Sequence, residues 1–512
     1  MSPKSLVLLA VIAIFALTQS VSGQSPAPAT PCPTPTPSPA CTNSPFPPCP
    51  IGTGWAEGLV QYTNYSHAFP TSETHSLCAV DCNFQQWSWE AFVWATAIGS
   101  DGRARFTTFG NVDELGKKTA ATKGPKPLGL KPRDLKPRGS RQSRLLGSSA
   151  DEPQQAGGGI VVDQNGQIIW YSTHMNPAYF QFVQKNGGAG YAKASATLNF
   201  PVGAAVFKAS WRVVQNGEDT TKSYTEKTTV PLLVNNPCGG IMVDPSGKTR
   251  QVTVALVGLH VVGVTENHPE FLWASFEQDN NAPDLPPGMQ PNSSEPVSSK
   301  GFAFYAANTP ANACNPQCVN LQVTDPVKQT VGPVTNVFRQ FAQGGPIPAQ
   351  RGQDITNVNQ AARKEMANMG TLKPPQPKEI VWSNYRLLGT LWLAQPGTLQ
   401  PGIGEMEVCG VGSVNLANST LETYFQGPQN NFNGNNVSNC FMCHNTGSFG
   451  APAAKNINLS HALLDSIPTP TPSGTPKPTP TCTPAPTCTP VASSPSAKPP
   501  TPAASPSASA SP

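Results

Sequence analysis

Cys440, Cys443 and His444 stand in the string "SNCFMCHN", two thiols three positions apart with an imidazole directly after the second. C-x-x-C-H is the attachment spacing of c-type haem. Two thiols add across the two vinyl groups on one porphyrin edge, and the adjacent histidine turns under the ring to give iron its proximal nitrogen. The competing chemistries are zinc and a plain disulfide. Zinc needs four nitrogen or sulfur ligands, and the chain has no second C-x-x-C, since Cys314 and Cys318 are separated by three residues. A redox-active C-x-x-C opens a helix after a strand, whereas this one follows the loop-like "GPQNNFNGNN". One covalent haem c, with His444 as the proximal iron ligand, is the reading the residues favour.

The sixth position on such an iron has several candidates. The histidines are His67, His75, His174, His260, His268, His444 and His461. His260 interrupts an apolar run, where a polar ring needs a partner. It is the candidate distal ligand, with a hydrogen-bonded core histidine as the alternative. Met366 and Met369 fall on the apolar face of an expected helix and read as core. Met289 lies in a loop, and His461 follows the motif closely. A water-bound or open sixth position is the remaining arrangement.

The compartment must agree with this chemistry. Lys4, the apolar run Leu6–Leu17 and the small residues Val21-Ser22-Gly23 have the layout of a secretory signal peptide over 1–23. The run is short for a bilayer span, and no later segment is apolar for long enough, so the mature chain is expected to have no transmembrane span. An uncleaved anchor is the alternative. Export to the periplasm, the cell surface or the medium also suits haem c attachment and thirteen cysteines, which favour disulfides in an oxidising compartment. Cys32, Cys41, Cys49, Cys482 and Cys488 belong to the Pro-rich ends. Cys78, Cys82, Cys238, Cys314, Cys318 and Cys409 belong to the body, where Cys78/Cys82 and Cys314/Cys318 are the local pairings to expect.

Residues 24–50 carry eleven prolines and residues 468–512 fifteen, among Ser, Thr and Ala. Such segments bury too little apolar surface to pack and are expected to be disordered spacers. Between them lies a globular body, 51–467, long enough for a large core. Only twenty-three residues separate His444 from Pro468. The haem motif therefore sits near the end of the body, and its pocket must come mainly from upstream chain. Residues 117–144 hold ten Lys or Arg and one Asp, a net of +9 in a chain of net +4, which leaves −5 on everything else. With no aromatic residue and several Pro and Gly, this reads as a solvated basic loop. It could dock on an anionic partner, but it lacks the stacking residues that single-stranded nucleic acid uses, so no nucleic acid is expected.

The body reads as α+β, mixed and β-leaning. "GIVVDQNGQIIWY" (159–171) is a hairpin around Asn165-Gly166. "VDPSGKT" (243–249) is a turn into "QVTVALVGLHVVGVT" (251–265), whose apolar residues on both alternate sets predict an element buried on both faces; its β-branched content favours a strand, with a buried helix as the alternative its length permits. Residues 354–369 predict a helix capped by Asp354, with Ile355, Val358, Ala362, Met366 and Met369 on one face and Gly370 ending it. "FQQWSWEAFVWA" (84–95) predicts a further buried element.

Through most of the body the chain resembles exported bacterial proteins grouped as cytochrome c-like for a single C-terminal haem motif. The strings that carry this are "WSWEAFVW" (87–94), "VVDQNGQIIWY" (161–171), "FKASWRVV" (207–214), "VGLHVV" (257–262), "FLWASFEQDNNAP" (271–283), "WSNYRLLGTLW" (382–392), "LANSTLETYFQ" (416–426) and "SNCFMCHN" (438–445). The resemblance implies covalent haem c on Cys440 and Cys443 with His444 on iron. The chain departs from the family at Gly263-Val264-Thr265, where a Lys-Thr pair is usual, and at Gln278, where a His is usual.

Three functions follow as expectations. The first is one-electron transfer by an exported monohaem cytochrome with a redox partner of unspecified identity. The second is a haem-dependent oxidoreductase, peroxidase-like or acting on a small molecule, in which His260, Glu277 and Asp279 serve an open iron; Glu277 and Asp279 as surface or capping residues is the plainer account. The third is a cell-envelope binding module using the basic loop and the Pro-rich ends.

Overall fold

The computed structural model describes residues 49, 55–73, 81–111, 114, 128, 130–132, 159–186, 199–237, 239–315, 320–340, 349–371, 377–393, 410–413, 416–426, 440–444, 456 and 460. The expected signal peptide, the N-terminal Pro-rich end apart from Cys49, the whole C-terminal Pro-rich end, most of the basic insert, His75, Cys78, Cys238, Cys318, Cys409 and His461 lie outside them. So does the side chain of Cys443.

The body is α+β. Its helices are α1 (Asp81–Thr96), α2 (Pro177–Lys185), α3 (Ala349–Asn368) and α4 (Cys440–Cys443). Its strands begin with β1 (Gly110–Asn111), β2 (Lys131–Pro132), β3 (Trp170–Met175), β4 (Ala205–Val213) and β5 (Thr225–Pro231). They continue with β6 (Leu233–Asn235), β7 (Ile241–Val243), β8 (Thr249–Gly263) and β9 (Leu272–Gln278). The last are β10 (Gln322–Asp325), β11 (Thr330–Gly332), β12 (Tyr385–Leu393) and β13 (Gly410–Gly412).

Nine of these strands form one antiparallel sheet in the order β1-β3-β4-β8-β9-β12-β13, with β2 added to β3 and β5 to β8. The fifteen-residue β8 is its spine. β4 runs along one side, while β5 and β9 share the other, β5 on residues 249–255 and β9 on residues 258–263. From Val254 onward every β8 residue is buried, as its doubly apolar pattern requires. One face carries Phe207, Leu259, Val261, Ala274 and Phe276 against the aromatic α1 and the apolar stripe of α3. Phe92 of α1 stacks on Phe276 with centroids 4.2 Å apart. The opposite face carries α2, α4 and the irregular segments, and it is the face that matters for the haem motif.

Local readings are met in most places. Val162 and Ile168 bridge across the 163–166 turn, and only Gly166 takes positive φ there, +76°. Asn165 instead stays within a turn that Asp163 organises by accepting the N–H groups of Asn165 and Gln167. Met366 and Met369 are core residues. The helix expected from Asp354 begins earlier, at Ala349, so Asp354 is not its cap. Its carboxylate accepts the N–H of Cys49 at 2.8 Å instead.

Three further expectations are corrected. Cys82 is bonded to Cys49, not Cys78. Cys314 is a buried thiol donating to the carbonyl of Pro310, not half of a bridge to Cys318, and burial pushes its pKa up to about 12. The basic insert is not solvated throughout. Leu128 and Leu130 join the main core, and β2 inside the insert pairs with Trp170 and Tyr171. The apolar pair gives that stretch a reason to return to the sheet despite its charged surroundings.

Candidate functional site

Residues directly across neighbouring antiparallel strands share a face. Following the register across the sheet gives three rows on the α4 side. The first is Met175, Val206, Val262, Trp273 and Leu391. The second is Thr173, Lys208, His260, Ser275 and Gly389. The third is Tyr171, Ser210, Gly258, Glu277 and Arg386. Successive rows are two residues apart, about 7 Å along the strands. The first is apolar and the next two are mostly polar.

The haem motif rests on the apolar row. Phe441 is buried in a cluster with Val262, Trp273, Leu391 and Leu393, and Cys440 packs against the same cluster. The His444 N–H donates to the Cys440 carbonyl at 2.8 Å, closing one helical turn. Helical spacing places positions 440, 443 and 444 on a common face. The rings of His444 and Trp273 meet with centroids 4.5 Å apart, and Phe441 meets Trp273 edge-on at 6.0 Å.

An apolar surface of this kind is compatible with a haem ring, and it carries one buried polar atom without a partner. The Trp273 Nε1–H is buried and has no hydrogen-bond partner among the described residues. A buried N–H without a partner costs about 1–3 kcal/mol. An acceptor from a bound group, or from residues outside the described ones, would relieve it. Cys440 and Cys443 would hold the haem covalently and His444 would ligate its iron.

The second row holds the distal candidate. His260 lies one row from Trp273 on the same face, and its Nε2 is 3.1 Å from Oε2 of Glu422. Burial alone would raise the Glu422 carboxyl. The His260 ring, the Lys208 ammonium and the N–H of Asn418 together hold it below its usual range. Asn418 also donates to Ser275 Oγ and to the Phe276 carbonyl, so the segment 416–426 is fastened along this row. Gly258 makes the approach feasible: a Cβ there would lie 2.6 Å from Ser210 Oγ and 2.8 Å from Thr420 Oγ1.

Glu277 and Asp279, proposed with His260 as an acid–base set, do not converge on it. Glu277 is fully buried, accepts from the Ser419 hydroxyl at 2.7 Å and the Ser419 N–H, and pairs with Arg339 at 2.7 Å. Arg339 also pairs with Asp284. Arg339 and Arg386 hold the Asp284 carboxyl down at about 2 against the opposing effect of burial. Asp279 is part-exposed and pairs with Arg363 of α3. Glu277 is therefore neither a surface nor a capping residue; it anchors the turn at 418–420. Met289 packs with Val297, Tyr305 and Phe338, a cluster separate from the one around Phe441.

Trp273 and Glu422 were not singled out by sequence reasoning. Trp273 was legible only as one of the alternate positions Phe271, Trp273, Ser275 and Glu277 of a short strand, and Glu422 carried no local signal. Among the described residues no helix is long and apolar enough to cross a membrane. No family model matches the chain, no curated protein does, and no solved structure does.

Proposed function

We propose that the chain is an exported, monohaem c-type cytochrome of the cytochrome c-like group it resembles, with haem c on Cys440 and Cys443 and His444 as proximal ligand. The observation that carries this reading is the C-x-x-C-H turn seated on an apolar sheet row, with the His444 ring against Trp273. Bound haem supplies a one-electron iron couple. The residues around it set how buried and how rigid that couple is. Phe441 fixes the turn to the sheet, and Trp273, whose ring meets that of His444, would hold the imidazole in place for the iron. The Cys49–Cys82 disulfide accords with an oxidising compartment, as does the N-terminal apolar run.

The test is a reduced pyridine haemochrome spectrum of full-length protein produced with haem c maturation machinery, after acid–acetone extraction. Haem retained with a c-type band is the expected result. Loss of all haem from exported, folded protein would return the motif to disulfide or zinc chemistry.

A second reading, a haem-dependent redox enzyme with an open sixth position, is favoured by the His260–Glu422 pair one row from Trp273. Such a pair can hold or move a proton at His260 Nε2. High-spin ferric iron that binds cyanide rapidly would support it. Low-spin, ligand-inert iron would support the electron carrier.

A further inference from the structure

We infer that Phe271 is a positioning residue for His444 that acts through Trp273: the chain accepts a left-handed backbone at a bulky residue so that the Phe271 ring can wedge Trp273 against the motif imidazole. Its functional meaning rests on the proposed role of His444 as proximal ligand, while the wedge itself does not depend on haem. The first basis is backbone conformation. Phe271 has a φ of +70°. The left-handed region crowds the Cβ of an L-residue against its own carbonyl, and a bulky side chain there is an outlier. Among the described residues eight glycines adopt it, with Asn308, Asn315 and Gln329, and Phe271 is the one aromatic residue that does. The local turn calls for glycine as well. The Phe271 N–H donates to the His268 carbonyl at 3.3 Å, closing a turn with Pro269 second and Phe271 fourth. The commonest turn type favours proline at the second place and glycine at the fourth.

What the side chain gains is a place between two other rings. Phe271 is buried and edge-on to both Phe200 and Trp273, with centroids 5.9 Å and 6.1 Å away. Phe200 is a fixed wall. It stacks on Tyr179 at 4.2 Å, and Asn456 accepts its N–H at 2.6 Å and donates to its carbonyl at 3.2 Å. On the other side Trp273 meets the His444 ring at 4.5 Å. The turn is also fastened behind Phe271. The fully buried Glu270 lies 2.7 Å from His268 Nδ1, Asn267 donates to Glu73 at 2.8 Å, and the Glu266 N–H donates to the Thr71 carbonyl at 2.8 Å. Backbone strain persists where the surroundings over-determine it, as they do here. Glycine would relieve the backbone but leave a hole between Phe200 and Trp273, into which the indole could swing away from His444.

The experiment is proton–carbon NMR of the full-length protein with 13C-labelled histidine, made without haem c maturation. The His444 ring signals are identified by their loss in His444→Gln. The indole ring current should displace them from the positions of an exposed histidine. Phe271→Gly and Phe271→Ala should both move them back towards those positions. Phe271→Gly should melt at the higher temperature of the two, because only glycine is unstrained at this φ. Should either variant fail to fold, Overhauser contacts in the parent protein decide, and Trp273 ring protons should show them to both Phe271 and His444. Undisplaced His444 signals in the parent, unmoved signals in a folded Phe271→Gly, equal melting of the glycine and alanine variants, or absence of either Overhauser contact overturns the inference. In the ferric holoprotein, Phe271→Gly should change the rhombicity of the iron paramagnetic resonance signal at equal haem content, and an identical signal overturns the positioning role. A missing haem band defeats the proposed function instead and leaves the wedge to be decided by the histidine signals.

Discussion

His260 and Glu422, 162 residues apart, face each other at 3.1 Å and fasten the segment 416–426 to the middle of the sheet. The partly buried carboxylate is held below its usual range, so it stabilises the fold when ionised. That contribution is present above the unfolded carboxyl value near 4.5 and is lost as pH falls through the lower folded value. Glu422→Gln should therefore flatten the acid side of the stability curve and cost about 1–3 kcal/mol at neutral pH. Urea titrations of both proteins from pH 3 to 7 measure this; parallel curves would count against it.

The motif residues make a sharper forecast. Replacing Cys440 and Cys443 together by Ala should reduce extraction-resistant haem to background. His444→Ala should leave thioether-linked haem in reduced yield with an altered, higher-spin ferric spectrum. The haemochrome yield per folded protein, measured beside the visible spectrum, separates the two effects. Full haem retention by the double cysteine variant would remove the covalent site.

Glu277 and Arg339 supply a test of structure against catalysis. Both are buried, and removing one partner leaves the other charge uncompensated, which costs about 3–5 kcal/mol. Arg339→Met should destabilise by that amount and loosen the 418–422 turn that holds Glu422. Guanidinium denaturation gives the number. A change under about 1 kcal/mol, with redox behaviour altered, would restore Glu277 to a role at the iron.

The elements were legible where one local rule dominated. The doubly apolar 251–265 run is long enough for a buried helix as well, but its β-branched residues favour a buried strand, and β8 occupies Thr249–Gly263. The stripe from Ile355 to Met369 was likewise read correctly, because helical spacing alone sorts it into one face. Asp354 failed as a cap because its carboxylate is claimed by Cys49, a partner 305 residues away. The same non-local tie explains the disulfide: Cys49 looked like part of a spacer, yet Asp354 and Asn357 hold its backbone beside Cys82. The chemistry proposed for the site rests on Cys440, Cys443 and His444, close together in sequence, whereas their setting depends on strand register. Trp273 becomes a neighbour of His444 only through the alignment of β8, β9 and β12, which no short string encodes.

That disulfide closes a loop with a sequence separation of 33 residues, for which chain entropy gives about 4 kcal/mol of stabilisation. Cys49→Ser with Cys82→Ser should lower stability by about that amount and release the segment before α1 from α3. Denaturation of this variant beside the parent protein measures the loss. A loss below about 1 kcal/mol would show that the hydrogen bonds Cys49 gives to Asp354 and takes from Asn357 already hold it in place.

Glu379 should reverse the usual pH response of a carboxylate. It is buried, with Oε1 accepting the Ile98 N–H at 2.7 Å and Oε2 accepting Trp382 Nε1–H at 2.8 Å. Burial pushes its pKa up to about 7, although those donors and the nearby Arg105 pull it back. The folded protein therefore keeps a proton that the unfolded chain, with a carboxyl near 4.5, has released. Its favourable contribution is complete below about pH 4.5, declines as pH rises to 7, and is gone above that. Over this window the loss is about 3 kcal/mol. Glu379→Gln removes the titration but offers only one acceptor to two donors, so the variant starts less stable at pH 5. The gap to the parent protein should then close as pH rises, and thermal melts at pH 5, 6, 7 and 8 would show it. A gap that stays constant over that range would mean that Glu379 is ionised in the fold throughout, with Arg105 overriding the effect of burial.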